Sequence, residues 1–451
     1  MRGALRVVAM IVSRRRFYLR ILLILIPLIF FSLHVSSRSS SRVSSFSASR
    51  DTFTQDSIND HALILSMVPQ VLHKFLVLKP TNASSLKGNG ELMPEEILRN
   101  IHKYNAAQTI INENIFGPVQ NDTIIIVIQV HKRIVYLRHL IVSLAQGRGI
   151  EKTLIIFSHD FYDPELNELV QSVDFARVMQ IFYPFSIQTH PDTFPGQAKG
   201  DCPRNINHKQ AQILKCTNAD HPDLYGHYRE AKYTQIKHHW WWKANRVFNE
   251  LEVTRNHAGL VLFLEEDHYV AEDFLHLLRL MQIACSTTCP QCSILSLGTD
   301  HKTSHNYRDN EKVEVTPWIS NLGMAFNRSV WIELHKCAKF FCSHDDYNWD
   351  WSLQEVSQQC LKSKLISMVM KSSRVLHIGY CGVHKKANCE STALISKVQK
   401  VLAKAKRNLY PKQLTLNFIN VENKDMVRKG NGGWGDIRDH ELCMNMSFST
   451  R

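Results

Sequence analysis

The feature that most constrains the fold is an uninterrupted apolar run at residues 123–130, TIIIVIQV. A strand buried on both faces has this composition, and such strands occur in parallel sheets that helices cover. Residues 136–145 (YLRHLIVSLA) follow with the spacing of an amphipathic helix. Further apolar runs predict strands at 153–157, 178–185 and 259–264, and a helix follows at 271–282. This alternation predicts an α/β domain with a mostly parallel sheet.

Polar residues stand at the ends of three of these strands. Ligands of open α/β sheets bind beyond the carboxyl ends of the strands, so the first candidates are residues 129–133, 158–160 and 265–268. The adjacent carboxylates Glu265, Glu266 and Asp267 repel one another, and strands disfavour them. A divalent cation such as Mn²⁺ or Mg²⁺ stabilises such a cluster through hard oxygen ligands. A solvated acidic turn is the alternative, and the position after a buried strand favours the metal site.

A second acidic segment, HDDYNWDW, occupies residues 344–351. It precedes residues 352–360, whose apolar positions repeat at helical spacing, so Asp350 is expected in the first turn of a helix. The helix dipole favours an ionised carboxylate there. Between Trp349 and Trp351, Asp350 is a candidate general base for a sugar hydroxyl that stacks on indole. Alternatively, the two preceding aspartates only cap a turn and the tryptophans belong to the core.

Three histidines are weaker metal candidates. His377 follows a short apolar stretch, where a histidine is more often part of the core than a ligand. It gains weight because the carboxylates at 265–267 need further ligands. His238 and His239 are adjacent in the chain, and adjacent residues do not share one face of a helix. The pair is therefore poor evidence for a metal site.

The first fifty residues contain nine arginines and no Asp or Glu, and they begin the excess that gives the chain its net charge of +13. The remainder is only mildly basic and has no dense stripe of Lys and Arg, which argues against nucleic-acid binding. Residues 21–35 are almost wholly apolar, and arginines precede them. This pattern predicts a single-pass anchor with its basic side in the cytosol. A cleaved signal peptide is the alternative, although no clear cleavage site follows.

The predicted organisation has four parts. Residues 1–16 form a cytosolic tail, and residues 17–35 form the type II membrane anchor. Residues 36–90 form a flexible, Ser-rich stem, because a segment such as SSRSSSRVSSFSAS builds no core. Residues 91–451 form the lumenal domain. A lumenal location agrees with four glycosylation sequons, at Asn82, Asn121, Asn327 and Asn445, and the eleven cysteines, all beyond residue 200, leave one without an intramolecular partner.

The ordered set of motifs resembles a known family. The motifs are QVHKR at 129–133, FSHD at 157–160, GHYREAKYTQIKHHWWWK at 226–243, LFLEEDHY at 262–269, SLGT at 296–299, HDDYNWDW at 344–351 and RVLHIGYCG at 374–382. Over roughly residues 90–445 this order is similar to the N-acetylglucosaminyltransferase II family of N-glycan processing. Each motif alone is weak, and the ordered set is specific.

The resemblance implies a GT-A fold, a Rossmann-like nucleotide-sugar domain with an attached acceptor-binding region. It implies UDP-GlcNAc as donor, Mn²⁺ as cofactor and the Golgi lumen as location. The implied acceptor is the mannose on the α-1,6 arm of an N-glycan that already carries GlcNAc on its α-1,3 arm. The reaction would be an inverting transfer to the 2-hydroxyl of that mannose.

The resemblance also implies roles for individual residues. The expected metal ligands are Asp267 and His377, and the expected catalytic base is Asp350. The expected acceptor contacts are Asn321, Trp349 and Glu265. The expected donor contacts are Gln129, Val130, His131, Lys132, Arg133, Asp160, Gln235, Ile236, Lys237, His238 and His239.

Five disulfides follow from the resemblance as well. The implied pairs are Cys202–Cys216, Cys289–Cys292, Cys337–Cys360, Cys342–Cys443 and Cys381–Cys389. Cys285 is left unpaired, which accounts for the odd number of cysteines.

Three other functions are compatible with parts of the pattern. A related β-1,2-GlcNAc transferase acting on another mannose would share the donor site. An inactive, lectin-like membrane protein would keep the fold, but a pure binder needs neither a base nor a metal. A glycosidase is disfavoured because hydrolysis normally uses two opposed carboxyl groups and no nucleotide site.

Overall fold

The computed structural model describes residues 62–77, 92–299, 306–379, 391–419 and 430–448. The chain divides into two compact units, Met1–Leu63 and Ile64–Arg451, and the architecture below belongs to the second. The predicted tail, the anchor at 17–35 and the Ser-rich tract lie outside the described residues. Within the described ranges, no helix has the length and apolar character needed to cross a bilayer.

Eleven strands occur in the described residues. They are β1 (Ile125–Val130), β2 (Leu154–His159), β3 (Arg177–Phe182), β4 (Leu260–Glu265), β5 (His268–Val270), β6 (Cys292–Ser296), β7 (Lys312–Thr316), β8 (Met324–Asn327), β9 (Ile366–Met370), β10 (Val375–His377) and β11 (Thr415–Phe418). Nine of them form one sheet in the order β11-β7-β9-β6-β8-β4-β1-β2-β3. The other two, β5 and β10, pair with each other in an antiparallel ladder.

Besides a helical stretch at 62–66, twelve α-helices occur in the described residues from 92 onward. They are α1 (Pro94–Ala107), α2 (Glu113–Phe116), α3 (Ile134–Ala145), α4 (Pro164–Gln171), α5 (His208–Leu214), α6 (Ala231–Asn245), α7 (Phe274–Thr287), α8 (Arg328–Lys336), α9 (Ala338–Ser343), α10 (Trp349–Glu355), α11 (Ser391–Ala405) and α12 (Ile437–Ser447). A π-helical turn continues α6 over Arg246–Glu250, and another continues α10 over Val356–Cys360. All the strands and helices predicted from apolar runs are present.

The sheet is mostly parallel, as the sequence predicts. Strands β4, β1, β2 and β3 are consecutive and parallel, and antiparallel pairing is confined to the β4–β8, β6–β8 and β7–β9 contacts. The register aligns Gln129 with Glu265 and Val130 with His159. The carboxyl ends of three strands therefore meet at one edge, and this edge carries the polar segments of the sequence.

Both faces of β1 are buried, which explains its continuous apolar composition. Ile126 and Ile128 pack in a cluster that includes apolar residues of α3 and α7. Ile125 and Val127 pack in a second cluster, which includes the tryptophans of α6. Each such side chain contributes about 1.5–3 kcal/mol through removal from water. The strand is therefore held firmly, and so is the position of the residues that follow it.

Part of the predicted stem packs against this core. Val68 and Phe75 are buried in the same cluster as α3, and the 3-10 helix Gln70–Phe75 lies beside it. The carbonyl oxygen of Phe75 accepts a hydrogen bond of 2.9 Å from Arg138 Nη1. The folded unit therefore includes residues that precede the boundary expected at residue 91.

The described cysteines form four of the five pairs that the resemblance implies. They are Cys202–Cys216, Cys289–Cys292, Cys337–Cys360 and Cys342–Cys443. The fifth expected pair, Cys381–Cys389, lies outside the described residues. Cys285 is free, as expected, and burial raises the pKa of its thiol to about 11. The Cys342–Cys443 bond joins α9 to the C-terminal helix α12.

Shortening one side chain of the N-terminal segment tests whether that segment is part of the folded unit. Phe75→Ala is expected to lower the free energy of unfolding by about 3–5 kcal/mol, because it removes a large buried ring. Urea denaturation with the disulfides intact measures the change. Val71→Ala, in the same short helix but 73% exposed, is the control and should change stability by less than about 0.5 kcal/mol. Equal, small effects of both substitutions would show that the segment does not contribute to the core.

Candidate active site

The acidic run Glu265–Asp267 lies where β4 ends and the chain turns into β5. Glu266 N donates a 2.9 Å hydrogen bond to Gln129 O, which ties this turn to the end of β1. Strand β5 then pairs with β10, and the register sets His268 opposite His377. This ladder brings His377 to the acidic run, although His377 lies 110 residues beyond Asp267 in the chain.

Arg133 forms ion pairs with two of the three carboxylates. Its Nε donates to Glu266 Oε1 at 2.7 Å, and its Nη1 donates to Asp267 Oδ2 at 2.6 Å. His131 N also donates to Glu266 Oε2, at 2.7 Å. Burial opposes the charge of Asp267, but His377 and Arg133 hold the pKa of its carboxyl below the usual range. The sequence predicted Arg133 as a donor contact and gave no sign of this pairing.

A metal ion can be held by the residues of this turn. Ligand atoms of Glu265, Asp267 and His268 all lie within 4.8 Å of one another. His377 Nε2 lies 3.0 Å from Asp267 Oδ2, so the two predicted ligands are in contact. The other carboxylate oxygen of Asp267, Oδ1, is buried and lacks a hydrogen-bond partner among the described residues. Carboxylate oxygen and imidazole nitrogen are suitable ligands for Mn²⁺, and the residues fit such an ion.

Two residues beside this cluster were not predicted as parts of a metal site. His268 was predicted only as a polar residue after β4, and the structure makes it a candidate ligand. Gly379 passes close to Asp267, because a Cβ at position 379 would lie 1.8 Å from Asp267 Oδ2. A larger residue at 379 would displace the Asp267 carboxylate.

Lys243, also unpredicted, faces Glu265 from α6. Lys243 is 1% exposed, and its Nζ donates to Gln129 Oε1 at 2.5 Å. Burial lowers the pKa of Lys243 and raises the pKa of Glu265, while the attraction between the two charges opposes both shifts. Gln235, His239 and Lys243 are spaced four residues apart along α6. That helical spacing could have identified Lys243 from the sequence.

Asp160, which follows β2, is the centre of a polar cluster. His131 Nδ1 lies 2.6 Å from Asp160 Oδ1, and Gln235 Nε2 donates to Asp160 Oδ2 at 3.0 Å. His239 Nδ1 lies 3.4 Å from the same oxygen, and its Nε2 lies 2.8 Å from Ser158 Oγ. Burial opposes the charge of Asp160, yet His131 and His239 hold the pKa of this carboxyl well below its usual range. The cluster therefore brings together four of the predicted donor contacts, namely His131, Asp160, Gln235 and His239.

The remaining predicted donor contacts do not all reach this cluster. Val130 is buried and contributes its backbone carbonyl, which accepts from Asp160 N at 3.1 Å. Lys132 lies over the ring of Phe161, 4.1 Å from its centroid. Ile236 is partly buried and packs against the core.

Lys237 and His238, which the resemblance assigns to the substrate site, lie away from the Asp160 cluster. Both are fully buried on another side of α6. Lys237 Nζ donates to the carbonyl oxygens of His344 and Asp346, and His238 Nε2 lies 2.9 Å from Asp439 Oδ1 in α12. Adjacent residues of a helix point in different directions, so Gln235 and His239 face Asp160, whereas Lys237 and His238 do not.

Asp350 lies in the first turn of α10, as predicted, and is partly exposed. Its Oδ1 accepts from Trp351 N at 2.9 Å. Burial and Asp267 raise the pKa of Glu265, and the charge of Asp350 contributes to the same shift, so Asp350 lies within electrostatic range of Glu265. Trp349 is only 5% exposed, and its ring stacks on Trp240 with centroids 4.6 Å apart. For Trp349 the core alternative is therefore correct, and acceptor contact stays a prediction for its exposed edge.

Asn321, the other predicted acceptor contact, lies in the segment between β7 and β8 and is partly exposed. Gln354 of α10 joins this segment to the helix that carries Asp350. Its Oε1 accepts from Ile319 N at 2.9 Å, and its Nε2 donates to Pro317 O at 3.0 Å. The segment and α10 are therefore held together.

The Asp160 cluster predicts a titration behaviour for His131. Although burial opposes its charge, Asp160 raises the pKa of His131, so Asp160→Asn is expected to lower that pKa to below its usual value near 6.5. NMR titration of the His131 ring measures the shift. Wild-type stability from this pair is present below about pH 6.5 and is lost as the pH rises through the raised pKa of folded His131.

The control for this titration is Asp163→Asn. Asp163 caps α4 through Leu166 N, and its substitution should leave the pKa of His131 unchanged. An unaltered pKa of His131 in Asp160→Asn would contradict the ion pair.

Comparison with known proteins identifies the family. Residues 98–443 match the family model described as N-acetylglucosaminyltransferase II (MGAT2). Three relatives are each named alpha-1,6-mannosyl-glycoprotein 2-beta-N-acetylglucosaminyltransferase. The one from Sus scrofa is 43% identical over 347 residues, covering 76% of this chain and 77% of the relative. The Homo sapiens relative is 42% identical over 346 residues (76% and 77%), and the Arabidopsis thaliana relative is 32% identical over 352 residues (75% and 78%). The chain therefore belongs to the N-acetylglucosaminyltransferase II family.

Proposed function

We propose that this chain transfers GlcNAc from UDP-GlcNAc to the 2-hydroxyl of the α-1,6-arm mannose of N-glycans. The family supports the type of reaction, and the names of the relatives support the acceptor and the linkage. The observation that carries the proposal is the buried carboxylate of Asp267, which lies beside ligand atoms of Glu265 and His268 and 3.0 Å from His377 Nε2. In such a site, the carboxylate of Asp350 would serve the acceptor hydroxyl, and Asp267 and His377 would serve the leaving diphosphate.

The donor would bind along the carboxyl ends of β1, β2 and β4, and we assign the sheet to the GT-A class. Parallel strands ending at one edge support this assignment, because nucleotides of α/β proteins bind at such edges. Asp160 is ionised and oriented by Gln235 and His239, so it can accept hydrogen bonds from ribose or uracil. Charge-assisted hydrogen bonds of this kind are the stronger ones.

The metal ion would be Mn²⁺, and Asp267 and His377 would hold it. The unpartnered Oδ1 of Asp267 supports this assignment, as do the neighbouring ligand atoms of Glu265 and His268. When bound, the ion supplies Lewis-acid stabilisation of the charge that develops on the leaving diphosphate. Arg133 already compensates part of the negative charge here, so this chain does not need the ion to bury Glu266 and Asp267.

Asp350 would act as the general base. It accepts the proton of the mannose 2-hydroxyl while that oxygen forms a bond to the anomeric carbon of GlcNAc. The bond from the anomeric carbon to the phosphate oxygen breaks, and UDP leaves with the electron pair. Attack opposite the leaving group inverts the configuration and gives a β-linkage.

The protein would reside in the Golgi membrane as a single-pass type II protein. The basic and apolar pattern of residues 1–35 supports an anchor, and the Ser-rich composition of residues 36–49 supports the predicted stem. Four disulfides support an oxidising compartment. The proposed acceptor, an N-glycan of a glycoprotein, is also found in such an oxidising compartment.

Removal of the base is the first test. Asp350→Asn is expected to lower kcat by about 10² to 10⁴, because the acceptor hydroxyl loses the group that takes its proton. The KM for UDP-GlcNAc should stay within about twofold of the wild-type value, since the donor binds elsewhere. Steady-state kinetics with both substrates varied measures the two constants.

Glu355→Gln is the matched control for this variant. Glu355 lies in the same helix, one turn and a half further on, and should leave kcat unchanged. Near-normal turnover of Asp350→Asn would remove Asp350 from the mechanism.

Defined acceptors test the substrate and the metal together. The purified full chain should add one GlcNAc to a hybrid N-glycan that carries GlcNAc on its α-1,3 arm. Mn²⁺ should support this transfer, and a chelator should abolish it, because Asp267 and His377 bind the ion that offsets charge on the leaving group. Mass spectrometry of the glycan and release of UDP measure the reaction.

Two controls distinguish the alternatives. An O-mannosyl glycan and an N-glycan with only its α-1,3-arm mannose exposed should not react. Preferred transfer to either would point to a related β-1,2-GlcNAc transferase. Binding of the N-glycan without metal-dependent release of UDP would point to a lectin-like protein.

A further inference from the structure

Lys237 is a fully buried lysine that the mechanism above does not use. It lies in the middle of α6, and its Nζ donates to His344 O at 2.9 Å and to Asp346 O at 3.0 Å. The ammonium also lies over the rings of Trp434 and Phe341, 4.3 and 4.9 Å from their centroids. Burial lowers the pKa of Lys237 to about 7. Removing a charged group from water costs free energy. An apolar residue would therefore be expected at position 237 unless the two hydrogen bonds of Lys237 have a role in the structure or the function.

The two carbonyls belong to the loop that leads directly into α10. We call residues 344–348 the base loop, because Asp350 follows it by two residues. Asp346 O, which Lys237 binds, also accepts from Ser352 Oγ of α10 at 3.2 Å. Lys237 and the first turn of the helix of Asp350 therefore share one acceptor atom.

The base loop is held from its other side by the C-terminal segment. Asn431 N and Nδ2 donate to Asp346 Oδ2 at 2.9 and 3.0 Å, and Tyr347 N donates to Gly432 O at 3.0 Å. Asn348 N, at the start of α10, donates to Asp346 Oδ1 at 2.9 Å. On the opposite side, α6 contacts the base loop through Lys237 and through Tyr233, whose ring stacks on Tyr347 with centroids 5.1 Å apart. The same helix carries Gln235, which binds Asp160.

We propose that Lys237 is a positioning residue, which holds the base loop and the first turn of α10 so that the Asp350 carboxylate points at the acceptor hydroxyl. The inference rests on the proposed role of Asp350 as base. Lys237 itself transfers no proton and touches no substrate. Because α6 contacts Asp160 through Gln235 and the base loop through Lys237, one rigid helix sets the distance between the donor and the base.

Lys237→Met tests the proposal with a side chain of similar length and no charge. We expect kcat to fall by about 10- to 100-fold, because a shift of about 1 Å in a reacting group can cost about 100-fold in rate. The KM for UDP-GlcNAc and the affinity for UDP should stay within about twofold. Lys336→Met removes an exposed lysine of α8 and should leave kcat unchanged. A wild-type kcat in folded Lys237→Met would overturn the proposal.

A double variant distinguishes positioning from a general structural effect. If Lys237 acts only through Asp350, Lys237→Met should lower kcat by less than about twofold when it is added to Asp350→Asn. Multiplication of the two single effects would show that Lys237 acts independently of the base, and the proposal would be wrong. Asp350→Asn alone tests the proposed role of Asp350 as base. Near-normal kcat in that single variant would contradict the proposed function, and this result is distinct from a failure of the proposal for Lys237.

Asn431→Ala covers the case in which Lys237→Met does not fold. Asn431 is exposed, and the substitution removes only its side-chain hydrogen bonds to Asp346 while the backbone N–H remains. It should lower kcat severalfold, with unchanged donor KM and an unchanged melting temperature. Full kcat in this variant would show that the base loop does not limit the placement of Asp350, which contradicts the proposal.

Discussion

Burial of negative charge is the constraint on which the rest of this structure depends. Glu266 and Asp267 are almost inaccessible to water at the end of a strand, where an isolated carboxylate would be strongly disfavoured. Arg133 compensates both through hydrogen bonds of 2.6 and 2.7 Å, and Lys243 faces Glu265. The turn is therefore stable as folded, and it keeps one carboxylate oxygen available for a cation.

The topology explains how distant parts of the chain meet at this turn. Parallel strands end at one edge, which aligns the polar residues that follow β1, β2 and β4. The short β5–β10 ladder then brings His377 to Asp267. Helix α6 contributes Gln235 and His239 to one side of the site, and its buried Lys237 contacts the loop before α10. The separate motifs of the sequence are thus parts of one arrangement.

The sequence predicts this fold well where burial determines composition. The run at 123–130 predicts β1, since both of its faces are covered, and the position of Asp350 in a first turn follows from helical spacing. The sequence pattern made His377 a candidate ligand beside the carboxylates, and the resemblance paired it with Asp267. The pattern could not place the two in contact, because the ladder that joins them links residues far apart in sequence. The buried environment of Lys237 was not predicted, because lysine is usually found at the protein surface. Which face of α6 meets which neighbour depends on tertiary packing.

The short helix at Gln70–Phe75 also sets how far the chain can be shortened from its amino-terminal side. Here, a cut beyond residue 77 would remove Val68 and Phe75 from the core and leave apolar residues around Arg138 open to water. A cut between residues 36 and 61 would leave the compact unit Ile64–Arg451 whole. A stable shortened form therefore keeps Val68 and Phe75 in the core and has its amino terminus before residue 62.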